Sequence, residues 1–565
     1  MKKNGLRYSI AAFSIMATLL ASFYACTKTS HLSGSPYPPA PEPIVGFYGK
    51  DKVTPTANVG DTVQFRVRGV SKLGSGYTFY INGTPATVTK ATDSLVYVVI
   101  PQNVSSGPGS IVTSDGQYFY GPEIKIIGNI FIDPDFNRGG ITPGSDGPIS
   151  DLAVATANNR PVYIIAGSFS NYNGQSRKLN NIASLYADDG SFWDVNTHWG
   201  ANGAIATIFS GKTSGAAKYF LGGAFSNYYS PTIKSLDIAS VNPGNLGLDS
   251  TTVKVLNSDS VLYPLNSLDT VSAFNGGVAD GGSIAIAKIF AGPTDDQAII
   301  IGNFSHYVNY DYSRSAKGQA YPTYYGIRNF ARVQVNAGQV GMLDTTYNYS
   351  YNRLNGNYDR NLNGNVVDAV QLPDKRIVIV GSFTDLSSPS NAASPALHVP
   401  GIMALTTAGQ ADPAFAANIG AGPNASVFKI TYNNTTKKIL VTGNFTSFNG
   451  QPANGVAMLN PDGTLDNTFK LADYSGGYIN YAGQLNNGKI IIAGNFKQYG
   501  GLLRQGFAVV DATGALANGY NNMGAFSGRI LGMYQRSNNL VLLYGWISRI
   551  DNTPVGNIVQ LKLTQ

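Results

Sequence analysis

The sequence predicts an all-β fold, with a small β-sandwich leading into a seven-bladed β-propeller closed by its own N-terminal strand. Three observations carry this. First, one short phrase recurs seven times: an apolar run, then Gly, a small residue and Phe. The copies are YIIAGSF (163–169), YFLGGAF (219–225), IIIGNF (299–304), IVIVGSF (377–383), ILVTGNF (439–445), IIIAGNF (490–496) and a degraded LLYGWI (542–547). Their spacing of 51 to 79 residues is that of a repeat architecture. Second, the chain has 65 Gly and 34 Tyr but only two Glu, Glu42 and Glu123. Helices favour Glu, whereas strands and turns favour aromatics and Gly. Third, each repeat reads as four short strands, the content of one propeller blade.

The elements follow in order. Lys2, Lys3 and Arg7 precede an apolar run over residues 8–24, then Ala25 and Cys26. A charged start, an apolar stretch and a small residue at the cut make a secretory leader over residues 1–25. The run is short for a membrane span. Phe23-Tyr24-Ala25-Cys26 resembles a bacterial lipobox. That resemblance implies lipidation of Cys26, the single cysteine of the chain, and sorting to the outer membrane. Residues 26–43 are rich in Ser, Thr and Pro, which favours an extended stalk. Loss of the three leader cations lowers the net charge from +7 to +4. A charge that small over a chain this long offers no footprint for nucleic acid.

Residues 44–128 alternate at Val63, Phe65 and Val67 and carry an Asn82-Gly83 hairpin turn. The run FYINGTPATV, then YVVIPQNV, then GPGSIVTSDG resembles the immunoglobulin-like IPT/TIG domains. Such domains are commonly spacers, so the resemblance implies a spacer here.

Residues 129–565 hold the repeats. GNFTSFNGQ and LNPDGTLDNTF resemble delta-60 repeat propellers, closely in repeats 1, 4, 5 and 6 and less so in repeats 2 and 3, which carry insertions. Repeat 7 stops at its third strand, and FIDPDF (131–136) supplies the missing fourth piece ahead of repeat 1. Closure by that strand leaves no open edge.

Little in the chain points to chemistry. The propeller lacks Glu, and its histidines (His198, His306 and His398) are far apart in sequence. No HExxH, P-loop or nucleophile elbow occurs. Most Asp residues sit in repeat turns such as Asp462 and Asp466. Asp133-Pro-Asp135-Phe-Asn137 begins like a calcium loop, but no Glu follows at the twelfth position. The expectation is a protein with no catalytic residues, metal or cofactor.

The insertions are the informative part. Strand parity places loops between second and third strands on the same face as loops leading into inner strands. Two long segments of these kinds, 305–327 and 345–365, fall on that face over adjacent blades, with 385–399 beside them. They concentrate Tyr307, Tyr310, Tyr312, Tyr321, Tyr324, Tyr325, Tyr347, Tyr349, Tyr351 and Tyr358, with Arg314, Arg328, Arg353 and Arg360. Tyrosine offers a flat apolar ring and a hydroxyl at low entropic cost. These are the candidate ligand-binding residues, unless the rings pack on one another to hold the loops. Anchor, stalk, sandwich and propeller together resemble accessory binding lipoproteins of Bacteroidetes glycan-utilisation systems. The expected function is non-catalytic binding of an extracellular glycan at the cell envelope. The alternatives are an adhesin or assembly partner that contacts an envelope protein through the same face, and a propeller hydrolase or lyase.

Overall fold

The computed structural model describes residues 45–48, 55–136, 144–157, 159–175, 179–194, 200–257, 265–282, 285–336, 338–348, 361–387 and 396–564. The leader, Cys26 and the stalk lie outside them.

The N-terminal unit has eight strands: β1 (Gly46–Phe47), β2 (Thr56–Ala57), β3 (Thr62–Arg68), β4 (Tyr77–Ile81), β5 (Thr84–Ala91), β6 (Leu95–Val99), β7 (Gly107–Thr113) and β8 (Tyr118–Ile126). They form one hydrogen-bonded path in the order β1-β3-β6-β5-β4-β7-β8-β2. The first half of β5 pairs with β4 and the second half with β6, with a register shift between Val88 and Lys90. Phe65, Phe79, Ile81, Val96, Val98 and Ile111 are buried together in its core. Asn82 and Gly83 take φ of 41° and 72°, the left-handed pair a tight hairpin requires.

This unit is fastened to the repeats that follow. The Ser106 amide and hydroxyl both donate to the Asn522 carbonyl at 2.8 Å. Asn522 Nδ2 donates back to the Ile126 and Ile130 carbonyls. Arg504, only 1% exposed, donates Nη2 to the Asn103 carbonyl at 2.7 Å. Burial holds that guanidinium down to about 10.

Among the described residues of the repeats, seven antiparallel sheets share one pattern. Their inner strands are Ile149–Ala157, Ile205–Thr213, Ile286–Ala291, Val366–Gln371, Val427–Asn433, Ile479–Gln484 and Ser527–Ser537. Each packs on the next, and the last packs on the first, which is the arrangement of a β-propeller. The expected fourth strand is reduced. In repeats 1 to 6 it makes a single bridge, such as Leu459↔Leu465 or Val510↔Leu516. The reason is local: Asp466 accepts from the Thr468 amide at 3.0 Å and curls the chain before a ladder can extend. In the last sheet the fourth place is filled by β9 (Ile130–Ile132), which pairs Ile130↔Leu563 and Ile132↔Leu561.

The recurring phrase now has a physical basis. A Cβ on its glycine would lie 2.0 Å from the Pro148 carbonyl at Gly167, and 2.1 Å from that of Tyr478 at Gly494. The second strand crosses the inner strand too closely for any side chain. The phrase's Phe is buried in each copy that has it, from Phe169 at 4% to Phe496 at 0% exposure. Its carbonyl accepts from a residue in the left-handed region just before the third strand: Asn181, Asp237, Asn329, Gly401, Gly455 or, after Ile547, Asn557.

Directly after a bulge, each inner strand turns one residue toward the ring centre: Asp151, Thr207, Lys288, Asp368, Lys429, Tyr481 and Gly532. Lys288 Nζ lies 3.2 Å from Asp151, and Lys429 Nζ lies 2.8 Å from Asp368. Thr207 donates to Asp151 at 2.8 Å. Burial works against the Lys288 charge, but Asp151 and Asp368 more than offset it and its pKa is raised. At the seventh place Gly532 leaves room for Tyr544, whose hydroxyl a Cβ would meet at 2.2 Å.

Asp237 is the odd member of its series, since the others are Asn or Gly. Burial raises its carboxyl to about 6, against a lowering contribution from the Phe225 amide. A raised carboxyl pKa means the folded state holds the proton more tightly. Stability is therefore gained as pH falls from about 6 towards 4, and the cost of the charge is complete above that window. Asp237→Asn should raise the melting temperature at pH 7.5 and have little effect at pH 4, as thermal denaturation at the two pH values would show.

Candidate functional site

The segment 305–327 is not an open loop. His306–Tyr310 and Pro322–Tyr325 form a hairpin, with a 3-10 turn over Tyr312–Arg314 between them. The hairpin pairs with Gly277–Ala279, which leads into the third inner strand, so both connection types do share one face. Lesser pairings recur there as Leu362↔Leu386 and Pro423↔Phe448. A second hairpin, Ser250–Val255 with Ser267–Ser272, braces the first. The Leu256 amide donates to the Ser315 carbonyl at 2.8 Å, and the Gly318 amide donates to Asp269 at 2.8 Å.

The ten tyrosines divide. Tyr307 is fully buried, and its hydroxyl donates to the Gly341 carbonyl at 2.6 Å. Tyr347 is also fully buried, with the Arg332 guanidinium 4.8 Å from its ring centre. Neither ring can stack on a ligand, which corrects the expectation for both. The repeat explains them. Three residues after the phrase's Phe stand Tyr172, Tyr228, Tyr307, Phe448 and Tyr499. Tyr172, Tyr228 and Tyr499 likewise donate to carbonyls, those of Gly190, Leu246 and Gly514. Tyr347 closes the turn Asp344-Thr-Thr-Tyr347, the counterpart of Asp466-Asn-Thr-Phe469 and Asp412-Pro-Ala-Phe415. Aligning the repeats beyond the phrase itself exposes both facts in the sequence.

Tyr310, Tyr312 and Tyr325 are half-buried, and Tyr310 and Tyr312 lie 6.5 Å apart between ring centres. Burial raises the hydroxyls of both. Tyr321 and Tyr324 are exposed, at 40% and 62%. The Arg314 guanidinium lies over Tyr321, 3.8 Å from its ring centre, and donates to its hydroxyl at 2.7 Å. Tyr324 meets His306 edge-on at 6.2 Å, and His306 Nδ1 is 2.8 Å from Asp280. Arg328 is exposed beside the hairpin. Tyr349, Tyr351, Tyr358, Arg353 and Arg360 lie outside the described residues, as does much of 385–399. The described ends of that last segment pair Asp385 with His398, Nδ1 to Oδ1 at 3.2 Å.

The turn acids are occupied by structure. Asp146 accepts from the Ser170 and Asn171 amides, and Asp462 from the Thr464 amide and hydroxyl. Asp133 accepts from Gln560 at 2.8 Å, and Lys562 lies near both Asp133 and Asp135. Those contacts fasten the closing strand; Asn137 lies outside the described residues. A cleft of about 620 Å³ lies where the N-terminal unit meets the repeats, lined by Asn103, Asn521 and Asn522 among others. The amides of Asn521 and Asn522 are spent on backbone carbonyls. Treating the seventh phrase as degraded also hides Trp546, which is 67% exposed.

A family model described as a domain of unknown function, DUF5122 beta-propeller, matches residues 436–469. No curated protein matches. Among solved structures, the RRP9 WD40 repeats are 9% identical, cover 77% of this chain and 98% of that chain, and superpose with a TM-score of 0.38. An auxiliary nutrient binding protein from Bacteroides thetaiotaomicron is 9% identical, covers 90% and 94%, and gives 0.33. A quinonprotein alcohol dehydrogenase-like protein from the same organism is 10% identical, covers 94% and 100%, and gives 0.28. Likenesses this distant carry no argument about ligand or reaction.

Two substitutions separate framework rings from available ones. Tyr307→Phe removes one buried hydrogen bond and should cost about 1 kcal/mol in denaturant unfolding. Tyr324→Ala removes an exposed ring and should stay within about 0.5 kcal/mol of the parent.

Proposed function

We propose that this chain is a non-catalytic binding module of the cell envelope whose ligand is an extracellular glycan. In this reading the propeller is seven-bladed and closed, and the N-terminal unit is an immunoglobulin-like sandwich of the IPT/TIG kind. The leader is removed, Cys26 carries the lipid, and the outer membrane holds the protein through its stalk. The observation that carries the binding role is the braced hairpin with Tyr321 and Tyr324 exposed and Arg314 stacked on the first. An exposed ring on a rigid hairpin costs little entropy to use. The ring face suits the apolar face of a sugar, and the hydroxyl and guanidinium suit its polar rim.

The anchor is checked by fractionation: Cys26→Ser should move the protein from the membrane to the soluble fraction. The ligand is checked on a glycan array and by titration of any hit. Tyr321→Ala and Tyr324→Ala should each weaken binding about ten-fold with an unchanged melting temperature, on the scale of ring stacking in other polymer sites. An array without hits, beside capture of one envelope protein that the same substitutions abolish, would establish the adhesin reading in its place.

A further inference from the structure

The seven repeats allow position-by-position comparison, and three positions at the mouth of the ring stand out. The first is the small residue of the phrase. Ser168, Ala224, Asn303, Ser382, Asn444 and Asn495 occupy it in repeats 1 to 6; repeat 7 has Trp546. No copy of this position is buried, so a tryptophan there fills no core. The second is the residue whose carbonyl faces the phrase's glycine: Pro148, Ala204, Ala285, Asn365 and Ser426, then Tyr478 and, two residues into the longer last inner strand, Arg529. The third is the bulge residue, where repeat 5 has Phe428. Three of these departures are large and aromatic, and one is cationic. All fall in repeats 5 to 7.

They also converge. Arg529 is the cross-strand partner of Trp546. Its guanidinium reaches over repeat 6 to lie 6.0 Å from the centre of the Phe428 ring. Tyr478, 50% exposed, stands two residues before Asn480, whose Nδ2 donates to the Gly528 carbonyl at 3.3 Å. Asn480 Oδ1 is buried and has no hydrogen-bond partner. Among the described residues Arg529 has no carboxylate partner, while Asp151 and Asp368 at the ring centre are held by Lys288 and Lys429.

We infer that the mouth of the ring over repeats 5 to 7 is a saccharide site, with Trp546 and Tyr478 as stacking rings and Arg529 as the partner of a carboxylate on the sugar. The ligand class is therefore an acidic, uronate-containing glycan. This rests on the glycan reading above and adds a second site and a charge preference to it. An exposed indole beside a guanidinium with no carboxylate partner among the described residues matches a ring bearing both an apolar face and an anionic group. The site shares its face with the Tyr321 hairpin, so one extended chain can engage both.

The test is titration of the full chain with an oligogalacturonate and with a neutral oligoglucan, followed by tryptophan fluorescence and calorimetry. Trp546→Ala should weaken oligogalacturonate binding about ten-fold with an unchanged melting temperature. Arg529→Gln should weaken it similarly and flatten its salt dependence. Binding that Tyr321→Ala weakens but Trp546→Ala leaves intact would overturn the second site and leave the glycan reading standing. Equal binding of the neutral oligoglucan, indifferent to Arg529→Gln, would overturn the charge preference. A Trp546→Ala variant that melts lower with affinity unchanged would make the indole a packing residue. No binding of either probe, with an empty glycan array, would remove the glycan reading and this inference with it.

Discussion

One steric contact organises the repeats: the second strand of each sheet passes against the carbonyl at the start of the inner strand. At seven places a Cβ would come within 2.0 to 2.4 Å of that oxygen, at Gly167, Gly223, Gly302, Gly381, Gly443, Gly494 and Gly545. Glycine is therefore compulsory there, and the next amide reaches the same carbonyl, as Ser168 does to Pro148 at 2.9 Å. That contact forces the bulge in the inner strand. The bulge turns the following residue to the centre and the intervening one to the mouth. The polar centre and the turning of Phe428 to the mouth are thus two consequences of one close approach.

The centre trades in charge rather than apolar packing. Two lysines and two aspartates pair within the ring there, Asp368 buried and Asp151, Lys288 and Lys429 half-buried. Such pairs add little net stability, yet removing one partner leaves the other with its charge unmatched in a partly desolvated place. The arrangement penalises any ring in which the inner strands are misordered. Apolar cores lie instead between neighbouring sheets, as where Phe415, Val427 and Phe445 pack together.

Much of this was legible in the sequence, and the parts that were not have physical reasons. The phrase carried the repeat because its glycine and Phe meet strict steric and packing demands. The closing strand was legible because repeat 7 lacked a piece that 131–136 supplied. Face assignment followed from parity alone, and the ladder from Gly277–Ala279 to the hairpin agrees with it. Tyrosine composition does not say which rings the framework buries. The place three residues past the phrase's Phe marks Tyr307, and the end of the Asp turn marks Tyr347. The fourth strand is shorter than the repeat pattern implies, since an apolar residue before an Asp turn makes one bridge and stops. Trp546 is hidden in the sequence because a departure from a pattern looks like decay until its exposure is known. The hold on the N-terminal unit was invisible, since Arg504 looks like a surface cation until its burial against Asn103 is seen.

The strand that completes the last sheet sets the order in which the molecule can be assembled. Asn129 and Thr564 meet across 435 residues of chain. Contacts of such separation must wait until the intervening loop is closed, and they make folding slow. Every sheet but one can form from residues emerging together; the final sheet needs both ends of the ring at once. Until the last strand is delivered, the first repeat and the seventh each present an unpaired flank. Until synthesis is complete the chain is therefore a half-ring whose edges can join a neighbour's as readily as each other. The charged pairs at the centre and the Gln560–Asp133 bond beside the seam favour the intramolecular outcome, because a partner in the wrong place leaves them unmatched.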